Sequence, residues 1–278
     1  MKQPTLSVIM PALNEEKNIE AAINSTFEAL KKYNIDGEII VVNDGSSDDT
    51  KNIVENLAQN NDLIKLINHD KPQGIGASFW DGVKHSNNDV VVMFPGDNEN
   101  DPDDALRFFY LMNDVDIVIP FIHNLDVRDR IRRIISSIYR FIVNVSFGIN
   151  LNYTNGTIFF RRIILEGLEL NTTGFFFNAE LLIKLIRHGY LFAEVPNFLS
   201  VRGGGKSKAI SLKSLIIVIK GYLRLFFDIY IRQIESRDKY FKKRSDFRKL
   251  NETSITYIRQ KDFDERVNKT GEESRVIN

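Results

Sequence analysis

The 278-residue sequence predicts an α/β fold, a mostly parallel sheet with helices on both faces, plus a C-terminal amphipathic helix. Two observations predict it. Short apolar runs alternate with helical patterns through the first half, and these runs are continuous in Val, Ile and Leu, as in strands buried on both faces. Polar clusters follow the first, second and fourth runs, where a parallel sheet gathers its ligand-binding loops on one rim.

Leu6 to Met10 is the first strand, and Asn14, Glu15 and Glu16 open a helix through about Tyr33. Glu38 to Val42 is the second strand. The turn after it, Asn43-Asp44-Gly45-Ser46-Ser47-Asp48, offers Ser47 or Asp48 as the cap of a helix over Thr50 to Gln59. Leu63 to Asn68 is the third strand, Ile75 to His85 a helix and Asp89 to Phe94 the fourth strand. The second half is less regular. It reads as a helix over Leu106 to Met112, a strand over Val115 to Pro120, a helix over Asp129 to Phe147, and a strand over Gly156 to Arg161. A helix over Asn178 to His188, a strand over Phe192 to Pro196 and a long helix over Ser211 to Ser236 complete the order. The expected units are 1–208, the α/β domain; 209–236, the amphipathic helix; and 237–278, a charged, exposed and partly disordered tail.

Composition removes several function classes. With 37 Lys+Arg against 37 Asp+Glu, the zero net charge argues against a dedicated nucleic-acid binder, while leaving room for local basic patches. The absence of cysteine excludes disulfides, thiolate nucleophiles and Cys-type zinc sites. The first residues carry no signal-peptide core, and no long uncharged apolar stretch spans a bilayer, so the expected location is cytoplasmic.

Two loops carry candidate chemistry. Asp44 directly follows a buried strand, where its carboxylate can accept hydrogen bonds from a base or ribose; the same residues also make an ordinary strand–helix turn. After the fourth strand, Pro95-Gly96-Asp97-Asn98-Glu99-Asn100-Asp101-Pro102 carries carboxylates at i and i+2 spacing, suited to a divalent cation that also grips a diphosphate. Its bland counterpart is a solvated loop ending in a helix cap at Asp101-Pro102-Asp103, and the spacing does not fit an EF-hand. Lys71-Pro72-Gln73-Gly74-Ile75-Gly76-Ala77 lacks both the dinucleotide and the P-loop pattern, so its glycines are read as allowing close approach between a helix start and a neighbouring loop.

Taken in order, these segments resemble family 2 glycosyltransferases of the GT-A, Rossmann-like fold, and among them the polyprenyl-phosphate sugar synthases. The resemblance rests on Ser7 to Glu15, on Glu38 to Thr50, on Gly74 to Gly82 with Asp89 to Pro102, on Phe177-Asn178-Ala179-Glu180-Leu181, and on Arg202-Gly203-Gly204-Gly205-Lys206-Ser207-Lys208. It implies a metal-dependent, inverting transfer of a sugar from a UDP- or GDP-type donor, with Mg²⁺ or Mn²⁺ as cofactor and a polyprenyl phosphate as acceptor. Carried over by position, Pro11, Ala12, Asn14 and Glu15 would line the base and ribose, with Asp44 on the base. Asp97 would hold metal and diphosphate, with Glu99 where the family often has a metal-binding Gln. Glu180 would face the donor sugar or acceptor, and Arg202, Ser207 and Lys208 would meet phosphates. Arg133 and Ser137 match positions that bind the lipid phosphate.

The sequence departs from the family pattern at three places. Pro95 stands where the first Asp of the DxD motif is usual, Asn178 replaces an Asp before Glu180, and the Gly-Ser-Arg after the fifth strand is absent at Pro120-Phe121-Ile122. The last departure keeps a hydroxyl acceptor open, with Glu180 as its general base, and Pro95 keeps open a nucleotide-sugar-binding subunit without turnover. On the long late helix, Lys213, Lys220, Arg224, Asp228, Arg232 and Glu235 share one face, and the broad remainder is apolar. That face suits a peripheral contact with the membrane, the core of the catalytic domain or a homo-oligomer.

Overall fold

The structure, a computed structural model, describes residues 3–124, 130–168, 172–174, 176–197, 212–232, 254–256, 258–259 and 261. In chain order the elements are β1 (Leu6–Ala12), α1 (Ile19–Lys32), β2 (Gly37–Asn43), α2 (Thr50–Asn60), β3 (Ile64–Asn68), α3 (Ile75–His85), β4 (Val90–Met93) and α4 (Pro102–Leu106). After them come β5 (Ile117–Ile122), α5 (Arg130–Phe147), β6 (Phe159–Arg161), α6 (Phe177–Arg187), β7 (Phe192–Asn197) and α7 (Leu212–Tyr230). The seven strands form one sheet in the order β3-β2-β1-β4-β6-β5-β7. Every pairing is parallel except those of β6, which lies antiparallel between β4 and β5.

The continuous apolar strands sort by the two-residue pleat. Ile9, Ile40, Val42, Val91 and Ile119 face one core with Phe79 of α3, Phe147 of α5, Leu181 of α6 and Leu225 of α7. Val8, Met10, Ile39, Val41 and Val92 face the other core, with Ile23 of α1, Val54 of α2 and Leu106 of α4. The predicted sheet covered on both faces is therefore the observed one.

Several predicted boundaries move. Helix α1 starts at Ile19 rather than Asn14, because Asn14 takes a left-handed backbone (φ 57°) and residues 13–18 form a loop. The helix expected over Leu106–Met112 divides into the end of α4 and a 3-10 turn at Phe109–Asn113, whose i, i+3 register buries both Phe109 and Met112. The exposed tail expected from 237 onward is contradicted at one point. Ser254 is fully buried, its hydroxyl donating to Asp116 Oδ2 (2.6 Å) while Ile255 N donates to Oδ1 (2.9 Å). Arg259 pairs with Asp114 at 3.0 Å. Asp116 is itself fully buried, and these donors satisfy a carboxylate that no water reaches.

Candidate active site

Strand β1 lies between β2 and β4, so the loops leaving all three strands meet at its carboxyl end. The ladders continue past the strands. Asp44 N donates to Ala12 O (2.8 Å) on one side, and Gly96 N donates to Pro11 O (2.9 Å) on the other. Asp44 and Asp97 therefore flank the end of β1. Pro11 carries no N–H to pair, and its carbonyl faces the side where β4 has already ended at Met93, so the proline leaves the ladder intact. A Cβ on Gly96 would lie 2.8 Å from Ile19 Cδ1 and 3.3 Å from Ala12 Cβ, so glycine lets the turn before Asp97 sit close against β1 without moving the Ile19 side chain.

The β1–α1 and β2–α2 loops clasp each other. Asn14 N donates to Ser46 Oγ (2.9 Å), and Asn14 Oδ1 accepts from Ser47 N (2.8 Å). Glu15 N donates to Thr50 Oγ1 (2.8 Å), and Glu16 N to Asp48 Oδ2 (3.1 Å). The Glu15 carboxylate accepts from Asn18 Nδ2 (2.8 Å). Asn14 and Glu15 thus shape the rim as well as standing on it.

Asp44 is the most heavily bonded of these residues. It is 5% exposed, and its Oδ1 accepts from the His69 ring (Nδ1, 2.7 Å) and from Gln73 N (2.8 Å), while Oδ2 accepts from Gly74 N (2.9 Å). Burial pushes its carboxyl up, but the hydrogen bond from His69 and those from Gln73 and Gly74 outweigh it and leave the group below the usual carboxylate value. The Asp44 carboxylate therefore stays charged and ties down the 69–74 loop. Glycines allow the close approaches expected of them. A Cβ on Gly45 (φ 73°) would lie 2.7 Å from the Lys71 carbonyl carbon, and one on Gly76 would lie 2.9 Å from the Thr173 backbone, to whose carbonyl Gly76 N donates.

Asp97 is half-buried at the rim and accepts from Glu99 N (3.1 Å), and Glu99 is exposed. Further along the loop, Asp101 caps α4 by accepting from Asp103 N (2.9 Å), with Pro102 in the first turn, as expected. Among the described residues no three His, Asp or Glu side chains group into a protein-only cation cage. Asp97 with Glu99 suits instead an ion such as Mg²⁺, which takes one or two carboxylates and draws its other ligands from water and substrate phosphates.

Glu180, on α6, is 1% exposed, and its Oε1 accepts from Lys184 Nζ (2.6 Å) one helical turn on. Asn178 Nδ2 reaches Gly156 O at 3.5 Å. Arg133, half-buried, and Ser137, exposed, lie one turn apart on α5. Arg202, Ser207 and Lys208, with Lys206, lie outside the described residues. Two residues of the rim were not anticipated: His69, and Asp81, whose Oδ2 lies 3.2 Å from His69 Nε2. The signal for His69 was the parallel pairing of β2 with β3, which sets Asn68 beside Asn43 and so the next residue beside Asp44.

Outside the rim, α5 and α7 join through Ser146 and Tyr222 (Oγ to OH, 2.7 Å) and through the Phe147 ring against Tyr222, Phe226 and Tyr230. Both helices leave large apolar side chains exposed, with Phe141 at 68%, Val145 at 64%, Leu215 at 51% and Phe227 at 51%. Asp228 is buried and pairs with Arg232 (3.1 Å). Among the described residues, no helix is long and apolar enough to cross a membrane.

Residues 7–168, more than half of the chain, match the family described as Glycosyl transferase family 2. The chain is 36% identical over 104 residues to dolichyl-phosphate beta-glucosyltransferase ALG5A of Trichomonas vaginalis, covering 36% of this chain and 32% of that protein. ALG5C of the same organism is 37% identical over 94 residues, covering 32% and 28%. The similarity thus spans about a third of the length of these curated relatives. Among solved structures, glucosyl-3-phosphoglycerate synthase from Mycobacterium tuberculosis with UDP superposes with a TM-score of 0.59 at 22% identity, covering 81% of this chain and 79% of that one. The same synthase with Mn²⁺, UDP-glucose and phosphoglyceric acid gives 0.60 at 22% identity, covering 80% of each chain. At that identity the likeness is one of fold, and it matches the predicted GT-A architecture.

Proposed function

The chain belongs to glycosyl transferase family 2, and from that membership we propose that it transfers a sugar from a UDP-type donor to a polyprenyl phosphate at a membrane surface. The observation that carries the reading is the convergence of the Pro11–Glu15, Asp44 and Asp97 loops on one rim of the sheet. The Asp44 side receives base and ribose, and the Asp97 side, with Glu99, receives the diphosphate and its Mg²⁺ or Mn²⁺. When bound, the cation neutralises the charge of the departing diphosphate. The solved neighbours with Mn²⁺ and UDP or UDP-glucose support that donor class, and the dolichyl-phosphate relatives support glucose and a lipid phosphate.

Two observations favour a phosphate acceptor over a hydroxyl. Glu180 is buried against Lys184, so a hydroxyl needing a base would compete with an existing ion pair, whereas a phosphate oxygen is already anionic. The joined apolar faces of α5 and α7 suit a bilayer interface, and the charged residues exposed on those helices are basic, as at Arg130, Lys220 and Arg224. The α5 residues Arg133 and Ser137 then lie on the lipid side, where they would meet the acceptor phosphate. UDP release from UDP-glucose and other UDP- and GDP-sugars, with Mg²⁺ or Mn²⁺ and with or without a short polyprenyl phosphate, tests the proposal. Release that needs the lipid phosphate and vanishes in Asp97→Ala is expected. Lipid-independent donor binding without turnover would overturn it in favour of a hydroxyl acceptor or a binding subunit.

A further inference from the structure

We propose that His69 is a positioning residue for the nucleotide: held between Asp44 and Asp81, it fixes the Asp44 carboxylate, which faces base and ribose, together with the 69–74 loop bonded to it. The inference rests on the nucleotide reading of this rim. The β2–β3 register sets Asn68 beside Asn43, and His69 N donates to Asn43 O (2.9 Å), so the backbone delivers the ring to Asp44. The His69 side chain is only 6% exposed, with Nδ1 2.7 Å from Asp44 Oδ1 and Nε2 3.2 Å from Asp81 Oδ2. The two carboxylates thus hold the ring from opposite edges, one at each nitrogen. Asp81 is itself anchored, its Oδ1 accepting from Lys84 Nζ (2.9 Å). The relay Lys84–Asp81–His69–Asp44 ends on Gln73 N and Gly74 N, the backbone that opens α3. The buried Asp44 carboxylate is thereby matched by hydrogen-bond partners on both of its oxygens. A ring freed from Asp81 can turn away, and Asp44 then loses the one side-chain contact among the three that set its oxygens.

Calorimetric binding of UDP, UMP and GDP with Mg²⁺ to the full chain tests this. A wild-type protein that binds none of them would refute the nucleotide reading itself, an outcome distinct from failure of the inference. Given wild-type binding, His69→Ala and Asp81→Leu should each weaken UDP by about tenfold or more, the scale of one charge-assisted hydrogen bond. UMP should weaken by the same factor, because the loss lies at the base and ribose end. Asp81→Asn keeps an oxygen that accepts from Nε2, and its affinity should stay within about threefold of wild type. Wild-type UDP affinity in Asp81→Leu, whatever its melting temperature, would leave the pair a stabilising contact only and overturn the proposal. A loss for UDP that spares UMP would also overturn it. Should His69→Ala fail to fold, the two Asp81 variants decide.

Discussion

Replacing Asp44 by Asn removes a charge while keeping the shape of the side chain, and its cost can be worked from the three bonds the carboxylate accepts. An amide has one acceptor oxygen. Placed at Oδ1 it still faces His69 Nδ1 and Gln73 N, but its NH₂ then meets Gly74 N–H donor to donor in a site 5% exposed. Leaving a buried polar group unsatisfied costs about 1–3 kcal/mol, and loss of charge assistance in the His69 bond adds about 1 kcal/mol, so Asp44→Asn should lose about 2–4 kcal/mol. Urea unfolding at pH 7 measures it. The sign of the pH dependence follows from the lowered Asp44 carboxyl. Its contribution is present in full above the unfolded carboxylate value and is lost as pH falls through the lower folded value. The gap between wild type and variant should therefore hold from pH 7 to about 5 and narrow below about 4. A gap under about 0.5 kcal/mol at pH 7, the range of an ordinary surface substitution, would refute the reasoning.

Other outcomes follow from the same structure. Gly45→Ala meets a left-handed backbone and the Lys71 carbonyl carbon 2.7 Å away, so it should destabilise by about 2–5 kcal/mol, read as a drop in melting temperature. Ser254→Val removes the hydroxyl that donates to buried Asp116 and should cost about 1.5–3 kcal/mol by urea unfolding; no change would mean that the 254–259 segment does not hold the carboxylate. Mn²⁺ should bind tightly only when UDP is present, because Asp97 and Glu99 would supply at most two carboxylates to it; electron paramagnetic resonance titration with and without UDP checks this, and Asp97→Ala should abolish the UDP-dependent binding. Phe141→Asp and Phe227→Asp, both at exposed apolar positions, should each lower sedimentation with anionic phospholipid vesicles about tenfold, while wild-type sedimentation falls with salt.

Much of this was legible because a parallel sheet writes its strands as continuous apolar runs and its ligand loops directly after them. Leu6, Ile39 and Val91 declare the sheet, and Asp44 and Asp97 stand at strand ends where the topology gathers them. What escaped depends on contacts between segments distant in sequence. Asn14 reads as a helix opener, yet its left-handed backbone is fixed by hydrogen bonds to Ser46 and Ser47 more than thirty residues on. His69 becomes a partner of Asp44, and Asp81 a partner of His69, only once β2 and β3 are paired and α3 folds back across them. Ser254 is a polar residue whose buried partner, Asp116, lies far away in sequence, so hydrophobic pattern could not mark it. The antiparallel β6 is only three residues long, Phe159–Arg161, and its direction is set by its neighbours rather than by its composition.

The central claim is the acceptor, and incorporation of radiolabelled glucose from UDP-glucose into organic-extractable polyprenyl phosphate tests it most directly. The account predicts label in the lipid phase that requires Mg²⁺ or Mn²⁺, disappears in Asp97→Ala and persists in Glu180→Gln, since a phosphate acceptor needs no base. Label confined to the aqueous phase on a hydroxylated acceptor, and lost in Glu180→Gln, would contradict it.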